Sequence, residues 1–579
     1  MITINILVSL LLLTAVFIYR YIFPRGKISL LKLLILLLIP PIISIGRLGI
    51  YESGDFTIHI YRSIEFYRSL SEGNLFPSWA GDLNATYGYP LFIFNYTLPY
   101  YILSLFHLIG FSFVASLKLF LAANFLVSGI FMYLAAKKLF NNDLAAFTTA
   151  ILYQFAPYHL VDVHFGVAVG EIMVFTLLPV TFLLLQTLLR DRNIPIFSLS
   201  SIAVSFLIMS HVLLAALLLG IIAVYFSVIA LISKNKKIFF LPLSAMILGT
   251  IATVYIWLGP SLMTKYTIMV KMIPGAMTAN MHISDLLYSP WRFGFLYQGP
   301  RGEINTPLGY IHILAVFAAV AILVRNNSRI KKYRIPLLLW VTFFLILLFL
   351  VSPLSGVVWE HIRMPILTSI IHRLILIISF ITSILAGYVA LYFKKEKLLI
   401  CFILGITMYM TILNWGQRRV IPSMGDPFLI ENVPKSTYEV EGHWYANSKW
   451  RNPKDPWFRA IPKSHIDILE GTAEVKQTKR LSTSHEYVMY AKTDLLVREN
   501  TLYFPGWKVY DNSSMVTAGP DRNGVIGFRL SKGLHFLRVE YSDILTLYIL
   551  KVITYITFLG MFLTTLVLFF MKFRKKKAK

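Results

Sequence analysis

Long apolar runs, separated by short polar clusters, dominate the first 414 residues and return after residue 543. Each run is long enough to cross ~30 Å of hydrocarbon as a helix. Between them lie basic clusters: PRGK at 24–27, KKLFNND at 137–143, RDRN at 190–193, SKNKK at 233–237, RNNSRIKKYR at 325–334, KKEK at 394–397 and RKKK at 574–577. Basic loops stay on the cytoplasmic side, so the clusters fix a topology. Spans near 4–23, 29–50, 115–137, 143–160, 171–190, 195–211, 212–232, 238–259, 309–325, 335–353, 369–393, 398–414 and 544–571 put every cluster on one side. This predicts about thirteen crossings, with the N-terminus outside and the C-terminus inside. The first run lacks a small-residue cleavage site after it and reads as a retained span.

One run breaks the parity. PLFIFNYTLPYYILSLFHLIG, 90–110, is long enough to cross, but a crossing there would send all later basic clusters outside. It also carries Asn95, Pro99 and His107. It reads as a helix in the outer interface, where Tyr is favoured; a true span is the alternative.

The expected fold class is therefore a polytopic α-helical membrane protein with an extracytoplasmic β-sandwich-like domain. The transmembrane part takes 1–414, with a first outer loop at 51–114. Residues 415–543 have ordinary polarity and no spanning run, and segments such as EYVMYAKTDLLV, WKVY, GVIGFRL and HFLRVEY alternate as strands do. A last span and a basic tail take 544–579. Shorter outer loops fall at 260–308 and 354–368. The chain has no repeat of 20–50 residues, which counts weakly against a repeat-built transporter.

Composition agrees. Of 579 residues, 57% are hydrophobic and 14% charged, and the mean hydropathy is +0.68; a soluble domain carries roughly 25% charged residues. Most of the net charge of +26 lies in the cytoplasmic clusters, so it does not indicate a nucleic-acid partner. The single cysteine, Cys401, excludes an internal disulfide and a Cys-based zinc site.

Ionisable residues in the outer segments are the candidates for chemistry. Asp55 stands where the second span ends, and Phe56, Ile60, Ile64 and Tyr67 follow at helical spacing. His59 and Arg62 share that helix. Asp55 is either an N-cap in Ser53-Gly54-Asp55 or a catalytic carboxylate, and a cap is also rigidly aimed. Glu52 is close enough to stand in for it. In APYHLVDVHFGVAVGEIM, 156–173, Asp162, His164 and Glu171 cluster where one span surfaces and the next begins. Such residues face a cavity or the interface, because an ionised Asp costs about 2.5–3.5 kcal/mol at the centre of a membrane helix. The plain readings are a loop end for Asp162 and helix-dipole pairing for Glu171. Arg292 in SPWRFG, Arg363, and His372 with Arg373 in IIHRLI stand outside, against the charge bias. Arg offers a planar fork suited to phosphate, and snorkelling to headgroups is its ordinary alternative. His211 ends a span. Outer His, Asp and Glu leave a divalent cation open, although no HExxH-type spacing is present. Trp79, Tyr87, Tyr89, Phe92, Phe94, Tyr96, Tyr100 and Tyr101 suit sugar stacking or, for most, an interface belt.

The series GDFTIHIYRSIEFYRSLSEGNLFPSWAGDLNATYGYPLFIFNYTLPYYI, YHLVDVHFGVAVGE and SPWRFG resembles the bacterial and archaeal membrane family labelled "6-pyruvoyl-tetrahydropterin synthase-related". No soluble pterin-enzyme signature accompanies that label. The family is similar to the C-type glycosyltransferase (GT-C) superfold, and residues 503–542 resemble the outer β-domain of its YfhO-like branch. The resemblance implies a glycosyltransferase of the prokaryotic plasma membrane. An acidic residue of the first outer loop, here Asp55, would act as general base on the acceptor hydroxyl. Basic residues would hold the phosphate of a polyprenyl-phosphate sugar donor. The acceptor would be a glycan, a lipid or a protein. The chain departs where relatives carry an aromatic-Pro-Trp-Arg run and this one has IIHRLI, and where His164 replaces a common Arg. The rivals are a transporter or flippase of lipid-linked glycans, and a non-catalytic envelope protein that retains the fold.

Overall fold

The computed structural model describes residues 2–23, 29–191, 193–232, 239–271, 286, 308–325, 328–361, 373–416, 419–436, 446–451 and 460–577. Among the described residues, six helices are long and apolar enough to cross a membrane: Phe113–Phe140, Val169–Leu189, Val212–Ile232, Lys331–Val351, Leu374–Tyr392 and Leu545–Leu568. Phe240–Ile251 with Val254–Tyr266, bent by 50°, makes a seventh if the pair is one broken span. Other apolar helices, such as Thr3–Tyr19, Leu30–Gly46, Ile194–Ser210, Tyr310–Val324 and Lys397–Met410, are shorter. Thirteen crossings therefore exceed what helix length alone establishes.

Packing centres on Leu374–Tyr392, which is buried along nearly its whole length against Asp143–Gln154, Tyr310–Val324 and Arg334–Val351. Phe113–Phe140 packs on Val169–Arg190 and Asp143–Gln154. Its first turn is capped twice. The Ala115 N–H donates to Ser112 Oγ at 3.0 Å, while the Phe113 and Val114 N–H groups donate to the Asp426 carboxylate at 2.6 and 3.1 Å. These bonds satisfy donors that a helix start leaves open. They also bring residue 426 to the end of the bundle opposite the basic cluster at 137–143. At that cluster Asn141 turns left-handed (φ 51°) and Asn142 caps the next helix through Ala145 N–H at 2.9 Å.

The run at 90–110 is not one continuous helix. Leu91–Phe94 breaks at Asn95, and Leu98–Leu108 follows with 11 residues. At ~1.5 Å per residue the longer piece is about 16 Å, half a bilayer core.

The C-terminal strands form two antiparallel sheets. They are β3 (Ile466–Glu470), β4 (Ala473–Arg480), β5 (Ser484–Ala491), β6 (Leu495–Leu502), β7 (Trp507–Asp511), β8 (Ser514–Val516), β9 (Ala518–Pro520), β10 (Val525–Leu530) and β11 (Gly533–Tyr541). One sheet runs β3-β6-β10-β9 and the other β4-β5-β11-β7-β8. Alternate residues of β5 and β11 are buried, as two face-to-face sheets require, whereas β6 is buried along nearly its whole length. The strands occupy 466–541, whereas the described residues between 415 and 465 contribute only a helix, Asp426–Asn432, short turns and β2 (Val420–Ile421). β2 pairs with β1 (Ile50–Tyr51), directly before Asp55.

Candidate active site at the helix ends

The helix Phe56–Ser71 begins at Asp55. Its cap, however, is Ser53, whose Oγ accepts the Phe56 N–H at 3.1 Å; the Asp55 carboxylate makes no capping bond. The backbone around Asp55 is fixed from another direction. Gly54 N–H donates to Phe165 O at 2.8 Å and Asp55 N–H to Gly166 O at 3.0 Å. The tyrosine before them, Tyr51, donates its hydroxyl to Val163 O at 3.0 Å. The segment after β1 is thus laced to the turn that carries Asp162, and the half-buried Asp55 carboxylate is left to other uses.

Two faces of Phe56–Ser71 are buried rather than one. Phe56 and Ile60 are buried, as the spacing implies, Ile64 and Tyr67 are half-buried, and Phe66, off that spacing, is buried with His59 and Arg62. His59 Nδ1 meets Tyr100 OH at 2.9 Å, and Asn95 Nδ2 donates to the same hydroxyl at 3.2 Å. Arg62 also bonds Tyr100 and lies by Tyr89 and Tyr96. Tyr96 stacks parallel to Tyr100 (centroids 6.0 Å, 7°) and on His211 (6.1 Å, 29°). Gly170 allows this, since a Cβ there would stand 2.7 Å from the Tyr96 ring and 2.8 Å from Ser210 O. Burial and the Arg62 charge keep His59 neutral.

A second charged group closes the site. Glu171, in the first turn of Val169–Arg190, takes the Arg373 Nε–H at 2.7 Å and the Tyr158 hydroxyl on its other oxygen. Arg373 opens the central helix Leu374–Tyr392. Asp162 sits in a π-turn with its Oδ2 buried and without a hydrogen-bond partner. The charges of Arg62 and Arg373 both reach Asp55, as does that of Glu171. Burial raises the Asp55 pKa; the two arginines pull it down and Glu171 adds to the rise, leaving it above an ordinary aspartate. Asp162 is likewise raised, by burial first and by the Glu171 and Asp55 charges next.

The structure therefore brings together Asp55, His59, Arg62, Asp162, Glu171, Arg373 and, through Tyr96, His211. His164 is turned to the backbone of Pro41 instead. Glu52 is exposed, with its N–H on Arg419 O at 2.8 Å. Arg292, Arg363 and His372 lie outside the described residues. Among the described residues no group of three or more His, Cys, Asp or Glu is placed to hold a metal ion. Tyr158 carries no distinguishing signal in the sequence, and Tyr96 and Tyr100 read there mainly as belt residues; Asn95, breaking an apolar run between Tyr-rich segments, is the available signal.

No family model matches the chain, and no curated protein matches it. Among solved structures it is similar to the arabinofuranosyltransferase AftD from Mycobacteria, at 14% identity and a TM-score of 0.45, over 68% of this chain and 27% of that one. It is also similar to the archaeal oligosaccharyltransferase AglB from Archaeoglobus fulgidus, solved with an inhibitory peptide and a dolichol-phosphate, at 13% identity and a TM-score of 0.39, over 66% of this chain and 55% of that one. The chain spans about a quarter and about half the length of these two proteins. Likenesses of this extent carry no argument about its chemistry.

Proposed function

We propose that the chain is a membrane glycosyltransferase of the prokaryotic plasma membrane. It would move a sugar from a polyprenyl-phosphate donor to a glycan, lipid or protein acceptor on the outer side. The observation that carries this reading is the Asp55 carboxylate. It is released from capping by Ser53, held by backbone bonds to residues 165 and 166, and lies within the fields of two arginines.

In this reading Asp55 takes the proton of the acceptor hydroxyl as that oxygen attacks the anomeric carbon. The bond from that carbon to the phosphate oxygen breaks, and the polyprenyl phosphate leaves with the electron pair. A raised pKa makes Asp55 a stronger base than a free aspartate. Arg373 and Arg62 supply positive charge where the leaving phosphate gathers negative charge. Arg292, Arg363 and His372 belong to the donor side of the proposal, and a phosphate suits the forked guanidinium.

The test uses the purified full chain in lipid nanodiscs with radiolabelled polyprenyl-phosphate sugars and candidate acceptors. Label leaving the lipid supports transfer. A flippase would relocate the intact lipid without cleaving it, and that outcome, or no reaction with any sugar, would sink the reading.

A further inference from the structure

The first outer loop contains a turn that its own residues do not favour. Asn84, Ala85 and Thr86 are three successive non-glycine residues with positive φ, at 59°, 55° and 69°. L-residues rarely visit this region, and a β-branched threonine least of all. All three are buried.

Each residue of this turn is held from the C-terminal half of the chain. Asn84 Oδ1 accepts from Arg451 Nη1 at 2.5 Å, and the Ala85 N–H donates to Ser436 O at 2.8 Å. Thr86 O accepts from Arg480 Nη2 at 2.8 Å, and Tyr87 O accepts the Leu502 N–H at 2.8 Å. Arg480 and Leu502 are the last residues of β4 and β6. Arg480 is itself held at 3.5 Å by Glu499, a fully buried carboxylate on the inner face of β6. Glu499 also takes the Tyr487 hydroxyl at 3.0 Å and faces His485 Nδ1 at 2.9 Å, so it is fixed from the opposite sheet.

The turn leads straight to the site. Tyr89 is three residues on, locked by paired backbone bonds to Ala80 at 3.0 and 3.2 Å, and its hydroxyl is near Arg62. We propose that Arg480 is a positioning residue of the active site: from the β-sandwich it holds the left-handed turn Asn84–Thr86, and with it the Tyr89 side of Arg62. The β-sandwich is then a clamp on the first outer loop rather than a separate appendage. Its kinetic consequence rests on the transfer reading above; its structural consequence does not.

The experiment compares Arg480→Gln, Arg480→Lys, Thr86→Gly and the Arg480→Gln/Thr86→Gly double variant of the full chain in nanodiscs. Amide hydrogen exchange at residues 84–88 is read beside kcat and KM. Arg480→Gln is expected to speed exchange there by ~10-fold or more, with β5 and β11 still protected. It should lower kcat by ~10-fold while KM stays within ~2-fold, since a misplaced site loses transition-state contacts. Arg480→Lys keeps a donor and should lose less. Glycine adopts positive φ without strain, so Thr86→Gly should restore protection and most of kcat in the double variant. Unchanged exchange at 84–88 in Arg480→Gln overturns the proposal, as does a kcat loss that Thr86→Gly leaves in place. If Arg480→Gln does not fold, Arg480→Lys decides by the same readout: faster exchange at 84–88 than in the wild type supports the clamp, and unchanged exchange refutes it. A wild-type chain that transfers no sugar removes the transfer reading, and the exchange results still decide the clamp.

Discussion

Asp55→Asn separates chemistry from architecture because the structure assigns the cap to Ser53. Asn keeps the shape of the side chain. Both backbone bonds of residue 55, to Gly166 O at 3.0 Å and from the His59 N–H at 2.9 Å, survive the change. Folding should be unaffected near pH 4 and slightly improved at neutral pH. The sign follows from the raised pKa: a carboxyl that burial pushes up binds its proton more tightly when folded. Ionising it costs stability as pH rises from about 3.9 through the raised value, and Asn has no such cost. Loss of a general base should slow transfer by about 10²–10⁴-fold, equivalent to roughly 3–5 kcal/mol of activation free energy. The acidic limb of the wild-type rate profile should reflect a carboxyl titrating above the ordinary Asp range, and the variant should lack that limb. Sugar transfer and thermal unfolding would be measured across pH beside two controls. Ser53→Ala should lose about 1 kcal/mol of stability with little change in rate. Glu52→Gln, on an exposed side chain, should change neither. A fully active Asp55→Asn protein would refute the assignment.

Three further outcomes are expected. Arg373→Ala should weaken donor binding by roughly 1.5–3 kcal/mol, the range for a charge-assisted contact; unchanged donor affinity and turnover would leave Arg373 as the partner of Glu171 alone. Reporter fusions within 415–543 should behave as extracytoplasmic, and a cytoplasmic signal would overturn the topology. The β-sandwich should lose stability on acidification. Burial holds His485 below its usual value, so stability falls as pH drops below about 6.5, and the loss continues towards about 2, where burial is outweighed and Glu499 titrates beside His485 and Arg480. At neutral pH, with His485 uncharged, the cation serving Glu499 is Arg480. Glu499→Gln should flatten the part of the pH dependence that Glu499 supplies; an identical Tm-against-pH curve would show that the carboxylate contributes nothing.

What the sequence made legible followed from local pattern. Apolar runs and basic clusters announce a membrane chain, and period-two alternation announces strands within 466–541. The loop carrying Asp55 stands out because Glu52 and Asp55 fall directly where a long apolar run ends. Pattern failed wherever a residue's role depends on a distant partner. Ser53 and Asp55 are both good caps by type, and only the bonds from Gly54 and Asp55 to residues 165 and 166 explain why the serine caps. Tyr158 looks like one interface tyrosine among many until its hydroxyl is seen on Glu171.

Glu499 makes the same point more sharply. It occupies an inward position of β6 between Val497 and Thr501, a place where a charge has to be matched. That mismatch could have been read from the alternation, but its partner Arg480 could not. The Arg373–Glu171 pair spans 202 positions of sequence. The charge rule put Arg373 on the outer side as an unexplained cation, and it has no means of supplying the anion. With Glu171 on its Nε, Arg373 is already oriented and partly neutralised. A donor phosphate at this site would therefore meet a guanidinium fixed in place by the protein, which is the preorganisation that electrostatic catalysis needs, at the expense of ground-state attraction.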